Sequence, residues 1–380
     1  MLQVFCLLKH INFINVKDAG GDLMAVYKLF PIQDATIYSE YNTTNTGMDA
    51  ILELSKYRSL NYPTESTAAR ALIKFNPSDL SSVLSNYIGT SSYSASLKLY
   101  LCDAIQIPAT YSVQAHALYN DWAMGTGLYG DYPISTDGVS WVSSATGSAW
   151  QTGSYSIGTT GSYTTDNPGG GVWYTGSVVT QSFGPYIDKD IYLDVTAMVS
   201  GGLATNGFIL SVNDEFIPDT SFTLKYFSRD THTIYPPCLE VKWDDSNYLQ
   251  NNSLNICSNG NINISLQNNK QTYAEGSIQK FRVNVRDRFP ARVFTTGSMY
   301  TVQQILPTSS YWSLIDHKSE DVVIGFDTNF TKISADSTGN YFTVYMEGLE
   351  PARYYRILIK SVINGETIVF DDNYIFKIDL

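Results

Sequence analysis

Along most of this chain apolar residues fall at every second position, and that alternation constrains the fold more than any other feature. It runs through Ala25–Phe30, Ala69–Phe75, Ala95–Leu101, Ser112–Leu118, Ile191–Val195, Phe208–Val212, Phe222–Phe227 and Leu239–Trp243. Successive side chains of a strand point to opposite faces, so a period of two gives one apolar and one polar face. In Ala69–Phe75 the residues Ala69, Ala71, Ile73 and Phe75 share one face, while Arg70 and Lys74 take the other. Strands of that kind belong to antiparallel sheets with one side in water. Helical signals are short. Asn76 is an N-cap before Pro77, with Leu80, Val83 and Leu84 on one face, and Val195–Ser200 stops at Gly201-Gly202. The pattern predicts an all-β chain whose first unit is a jelly-roll-like β-sandwich with a helical turn or two.

The pattern breaks at Asp244–Asn269, which is rich in Asn and Ser and reads as a linker or a loosely paired edge. It resumes at Lys280–Arg286 and continues through Asp321–Gly325, Tyr341–Met346, Tyr354–Val362, Thr367–Phe370 and Tyr374–Ile378. Several strands with no helix between them predict an immunoglobulin-like or fibronectin-like sandwich, here without a cysteine pair of its own. The expected organisation is a jelly-roll-like sandwich over 24–245, an Asn-rich linker over 246–272 and an Ig-like sandwich over 273–380. Residues 1–23 make a poor signal peptide, because no basic residue precedes Leu2–Leu8 and Lys9-His10 cut the run short. Either they form an arm that packs on a neighbour, or Met24 is the true start.

Charged residues are only 16% of the chain, which excludes a coiled coil, and 13% aromatic residues exclude a disordered one. No apolar run approaches 18 residues, so no membrane helix is expected. The net charge of −12 argues against nucleic acid as a partner. That charge is uneven: residues 1–269 hold 12 Lys and Arg against 23 Asp and Glu, while 270–380 hold 12 against 13. No Lys or Arg occurs between Lys98 and Lys189. Cys6, Cys102, Cys238 and Cys257 lack CxxC spacing and read as buried free thiols of a reducing compartment. Four isolated histidines offer no metal-binding spacing, and no cofactor is expected.

Trp122, Trp141 and Trp150 suit either a sugar platform or interior plugs whose indole N–H groups bond to loop carbonyls, and their DW and DGVSW context favours the interior. Trp173-Tyr174, after Gly169-Gly170-Gly171, has little core pattern around it and is the expected exposed contact site for protein or glycan. Asp121 and Asp137 could serve as a glycosidase pair, but Asp in a Gly-rich turn is usually a cap. Asp188, Asp190 and Asp194 lack the spacing of an EF-hand loop and read as solvated strand-edge acids. Arg282, Arg286 and Arg288 fall on one face of a strand, with Arg292 beyond it. They form either a solvated face paired through Asp287 or an interface for the acidic first unit of a neighbour. With no nucleophile–base pair and no P-loop, the chain reads as non-enzymatic.

A set of features spread over residues 24–245 carries a resemblance. It comprises Asp34-Ala35, Asn45-Thr46-Gly47, ARALIKF with the Asn76–Leu80 turn, ASLKLYL, and Asp121-Trp122 with Gly125 and Gly127. It continues with Asp137-Gly138-Val139-Ser140-Trp141, Trp150, LDVTAMVSGG, Asn206–Leu210, FSRD and Pro237–Val241. In this order they resemble the β-sandwich modules called DNRLRE or carbohydrate-binding-module-96-like. That resemblance implies a jelly-roll-type sandwich of extracellular or virion appendages. The stretches MAVYKLFPIQDATIYS, KFRVNVRDRFPARVF, DSTGNYF and GLEPARYYRI are similar to structural proteins of marine, T4-like tailed bacteriophages. The resemblance implies a virion component of neck, tail, baseplate or capsid surface, assembled in the host cytoplasm. Its partners would be other virion proteins and copies of itself, or, as an adhesin, a host glycan.

Overall fold

The computed structural model describes residues 25–58, 66–150, 159–160, 169–215, 220–244, 246–249, 254–267, 270–289 and 303–379. The expected arm over 1–23, Cys6 and Arg292 lie outside the described residues. The chain is all-β and folds as two sandwiches. In the first, a four-stranded antiparallel sheet runs in the order Ala25–Leu29, Cys238–Trp243, Tyr93–Leu99, Ile191–Asp194. It faces a larger sheet running Thr159–Thr160, Trp173–Phe183, Tyr111–Leu118, Phe208–Val212, Ser66–Phe75, Ile51–Arg58, Phe222–Phe227, Leu101–Ile105. Pro31–Tyr38 also pairs with Ser66–Phe75. The alternating apolar residues interdigitate between the two sheets, with Leu97, Leu99, Ile73, Phe208, Leu224 and Val241 buried in one core. The helix Pro77–Ser82 starts where its sequence places it: Asn76 accepts a hydrogen bond from the Ser78 N–H at 3.0 Å, and Leu80 is buried.

The face of Ser66–Phe75 expected in solvent is not there. Ala68, Arg70 and Leu72 are buried as deeply as Ala69, Ala71 and Ile73. The reason is a second core on the outside of the sheet, where Trp122, Val139, Trp141, Trp150 and Val172 from the long loops close over Ala35, Ile37, Ala68 and Leu72. The alternation is present, but each of its faces meets a different core. Cys102, read as buried, is exposed on Leu101–Ile105, whereas Cys238 and Cys257 are buried free thiols.

In the second sandwich one sheet joins Ile262–Gln267, Ile278–Asp287, Gly339–Tyr345 and Ser334–Asp336 side by side. The other joins Thr272–Ala274, Ile375–Asp379, Tyr354–Ile363, Ser310–Asp316 and Val322–Ile324. This is the ABED and GFC division of an immunoglobulin-type sandwich, with the first strand split between both sheets. Part of the expected linker is therefore a strand. Ile262 and Ile264 reach the second core, and Asn263 between them points outward.

The two sandwiches meet at Ala25–Leu29. Tyr27 and Leu29 enter the first core while Val26 enters the second, as a period of two dictates for a strand covered on both sides. Tyr345 of the second sandwich packs its ring against Tyr27, Tyr87 and Trp243. Around this contact the Lys28 ammonium donates to the Val323 carbonyl at 2.6 Å, and the Tyr235 hydroxyl donates to Asp321 at 2.6 Å. Asp244 pairs with Lys332 at 3.4 Å.

Candidate functional site

The loops that roof the larger sheet hold most of the residues a ligand site would use, and they use them on one another. Asn45 is fully buried. Its amide nitrogen donates to the Met124 and Val139 carbonyls at 2.7 and 2.8 Å, and its oxygen accepts from the Gly47 and Gly127 N–H groups at 3.2 and 2.8 Å. All four hydrogen bonds available to the amide are made. The glycines around it are there for room: a Cβ on Gly125, at φ +79°, would lie 2.1 Å from the Asp137 carbonyl oxygen and 2.4 Å from Asn45 Oδ1. Trp122 and Trp150 are interior plugs whose indole N–H groups donate to the Asn206 and Ser140 carbonyls, each at 3.0 Å. Trp141 is buried under Arg70, whose guanidinium lies 4.7 Å from the Trp141 ring and 5.0 Å from that of Trp173. Arg70 also donates to Glu215 at 2.9 Å and to the Gly170 carbonyl.

Trp173 and Tyr174 are half-buried rather than exposed. They sit in a strand paired with Leu118 and Thr159–Thr160. Trp173 lies tilted against His116 at 5.3 Å, and Tyr174 packs edge-on to Tyr119 at 5.3 Å. Burial and the neighbouring Arg70 push the His116 imidazole down to about 4, so it is neutral near pH 7. Sequence reasoning missed the covering strand because its side chains lack an apolar period.

The two candidate carboxylates are ionised. Burial pushes Asp121 upward, but the Lys74 ammonium at 2.5 Å and the Trp122 N–H together hold it below the usual range. Hydrogen bonds from the Ser135 and Thr126 hydroxyls hold Asp137 down. A glycosidase general acid requires the opposite shift. Asp190 accepts from the Leu101 N–H at 2.7 Å, and Asp194 accepts from the Thr196 N–H at 3.0 Å. Among the described residues no three His, Cys, Asp or Glu come together as metal ligands.

Arg282 is held by Asp336 at 2.7 Å, while Asp287 accepts from Gln304 at 3.1 Å. Internal pairing of the arginine face therefore runs through Asp336 and not, as expected, through Asp287. Arg286 and Arg288 make no ion pair among the described residues, and Arg288 lies on the exposed ring of Phe289. The seam between the sandwiches holds a cavity of about 70 Å³ lined by Lys28, Tyr100, Tyr235, Cys238, Asp316 and Arg353, and another of about 270 Å³ lined by Val26, Lys98, Glu240, Lys242, Val323 and Asp327. The first has room for a few water molecules, and the second, with Glu240 between Lys98 and Lys242 in its wall, is close to the ~300 Å³ at which ligand pockets begin.

What the sequence reading did not find is an exposed aromatic surface. The loops near Tyr41 and Tyr129 are tied together: Asn45 N–H to the Ser135 carbonyl, Met48 N–H to the Gly127 carbonyl, and Tyr129 N–H to Asp49, each at 3.0 Å. They bring Tyr41, Met48, Leu128, Tyr129, Tyr132 and Ile134 to the surface, with Tyr132 at 98% exposure. The rings of Tyr38, Tyr41 and Tyr129 lie 5.1 to 6.5 Å apart. Apolar residues in a Gly- and Pro-containing stretch without any period are the only sequence signal of it.

No family model matches the chain, and no curated protein matches it. Among solved structures, it is similar to a DUF4785 family protein from Legionella pneumophila at 8% identity, with 95% of this chain and 70% of that chain covered. The TM-score of that match is 0.18, too low to carry an argument.

Proposed function

We propose that the chain is a non-enzymatic structural component of a tailed-phage virion, built in through protein–protein contacts. One observation carries this reading. On the roof of the first sandwich the Trp122 and Trp150 indoles, the Asn45 amide and the Asp137 carboxylate bond to the fold itself, while Tyr41, Tyr129, Tyr132 and their apolar neighbours are exposed. A surface of that composition suits burial against protein. The resemblance to marine T4-like structural proteins points the same way. The test is labelling of purified particles with an antibody raised against the chain: regular decoration at one part of the particle is expected, and particles free of it would overturn the reading. The second reading, a glycan-binding adhesin, draws on the exposed faces of Tyr129 and Tyr132. It requires retention on host polysaccharide that is lost in Tyr132→Ala.

A further inference from the structure

The aromatic surface has a counterpart on the other sandwich. Its own charged rim is acidic, with Glu40, Asp49 and Asp131, and neither residues 29–55 nor 99–188 contain a Lys or Arg. The counterpart is the end of Ile278–Asp287, where Arg286 is without a carboxylate partner among the described residues, Arg288 is exposed, and Phe289 is 76% exposed. Ile278 begins that strand beside Tyr345 at the seam. Asp287 is nine residues further on, about 30 Å away at ~3.3 Å per residue. The arginine end thus points away from its own first sandwich, and among the described residues no hydrogen bond, ion pair or ring contact joins the two patches.

Resting on the assembly reading above, we infer that the Arg286–Phe289 strand end of one copy docks on the Tyr41–Tyr129–Tyr132 surface of a second copy. Phe289 enters among the tyrosines, and Arg286 and Arg288 face Glu40, Asp49 and Asp131. Guanidinium groups gain both from the carboxylates and from the tyrosine faces. Tyr and Arg are also the side chains that dominate binding energy at protein interfaces. Because the two patches differ, the contact closes as a reciprocal two-fold pair where both ends meet at once, and otherwise builds rings or open rows.

Sedimentation velocity on the full chain tests it. Self-association is expected and should weaken with salt. Tyr132→Ala and Arg288→Glu, both at exposed positions outside any core, should each weaken it about ten-fold or more. Glu40→Lys and Arg288→Glu chains should each associate more weakly alone than when mixed, since in the mixture each offers the other a complementary end. A chain that stays monomeric at about 100 μM, or a mixture no larger than its components, overturns the contact. Loss of polysaccharide retention in Tyr132→Ala with self-association unchanged also overturns it. Decorated particles together with a monomeric chain would sink this contact and leave the proposed function standing. Self-association by a chain missing from particles would do the reverse.

Discussion

Asn45 shows how a polar residue can specify a loop arrangement more tightly than an apolar one. Its amide joins three separate chain segments through four hydrogen bonds in a space that excludes water. Replacing it with alanine would leave two carbonyls and two N–H groups buried without partners. A buried orphan costs about 1–3 kcal/mol, and partial relaxation offsets some of the sum. Asn45→Ala is therefore expected to destabilise the fold by roughly 3–5 kcal/mol. The check is a lower urea midpoint at unchanged slope, and a loss below ~1 kcal/mol would contradict the account. The same reasoning explains why Asn45-Thr46-Gly47, Gly125, Gly127 and Gly138 occur together in this sequence. A Cβ on Gly47, Gly127 or Gly138 would lie 2.1 to 2.5 Å from backbone atoms of the facing loop.

At the scale of elements, Ala25–Leu29 is the piece on which the two sandwiches depend. Val26 leaves the first sandwich to join the second core, which also holds Met346 and Leu349. An aspartate there would place an unpaired carboxylate between apolar side chains, at a cost of several kcal/mol. Val26→Asp is expected to uncouple the halves, so that calorimetry of the variant resolves two transitions where the native chain gives one. A single transition merely shifted downward would mean that the seam does not couple them. Much of this layer was legible in the sequence. Phe208–Val212 and Phe222–Phe227 are strands with the bounds their alternation gave, and the Asn76 cap and the indole plugs of Trp122 and Trp150 are in place. Period two reports that a strand has two faces, not what covers each, so the burial of Arg70 and Leu72 could not be read from it. Ile51–Arg58 and Trp173–Phe183 escaped notice for a related reason. The first has buried Leu52 and Leu54 amid charged residues, and the second carries polar residues along most of its length. The aromatic surface depends on two loops about 80 residues apart in sequence, and no local pattern encodes that meeting.

For the molecule as a whole, buried groups shifted in opposite directions set how stability depends on pH. Asp34 is buried, with one oxygen accepting from the Arg229 N–H at 2.6 Å and the other without a hydrogen bond. Burial, outweighing that hydrogen bond, pushes it up to about 7 from an ordinary value of 3.8. The folded chain then holds a proton the unfolded chain has lost, so stability from Asp34 declines as pH rises from about 4 to 7. Glu240 behaves in the opposite way. Burial alone would raise it, but Lys98 at 2.8 Å, Lys28 and Lys242 at 2.9 Å hold it below the usual range. Asp316 is held down against its burial by the Ser319 and Lys318 N–H groups and Arg353. Stability from these two is fully present above their unfolded values and is lost as pH falls through the folded ones. The net charge of −12 near pH 7 adds self-repulsion that acid relieves. His116, pushed down to about 4 from 6.5, adds stability as pH rises over that range and so offsets much of the Asp34 decline there, which leaves the uncompensated fall near pH 7. Asp34→Asn keeps an acceptor for the Arg229 N–H and removes the titration. It should leave stability near pH 4 almost unchanged and raise it by about 2–4 kcal/mol at pH 8. The measurement is the melting temperature of both chains from pH 4 to 8. If the variant follows the native pH dependence between pH 4 and 8, the buried carboxyl of Asp34 does not contribute to it.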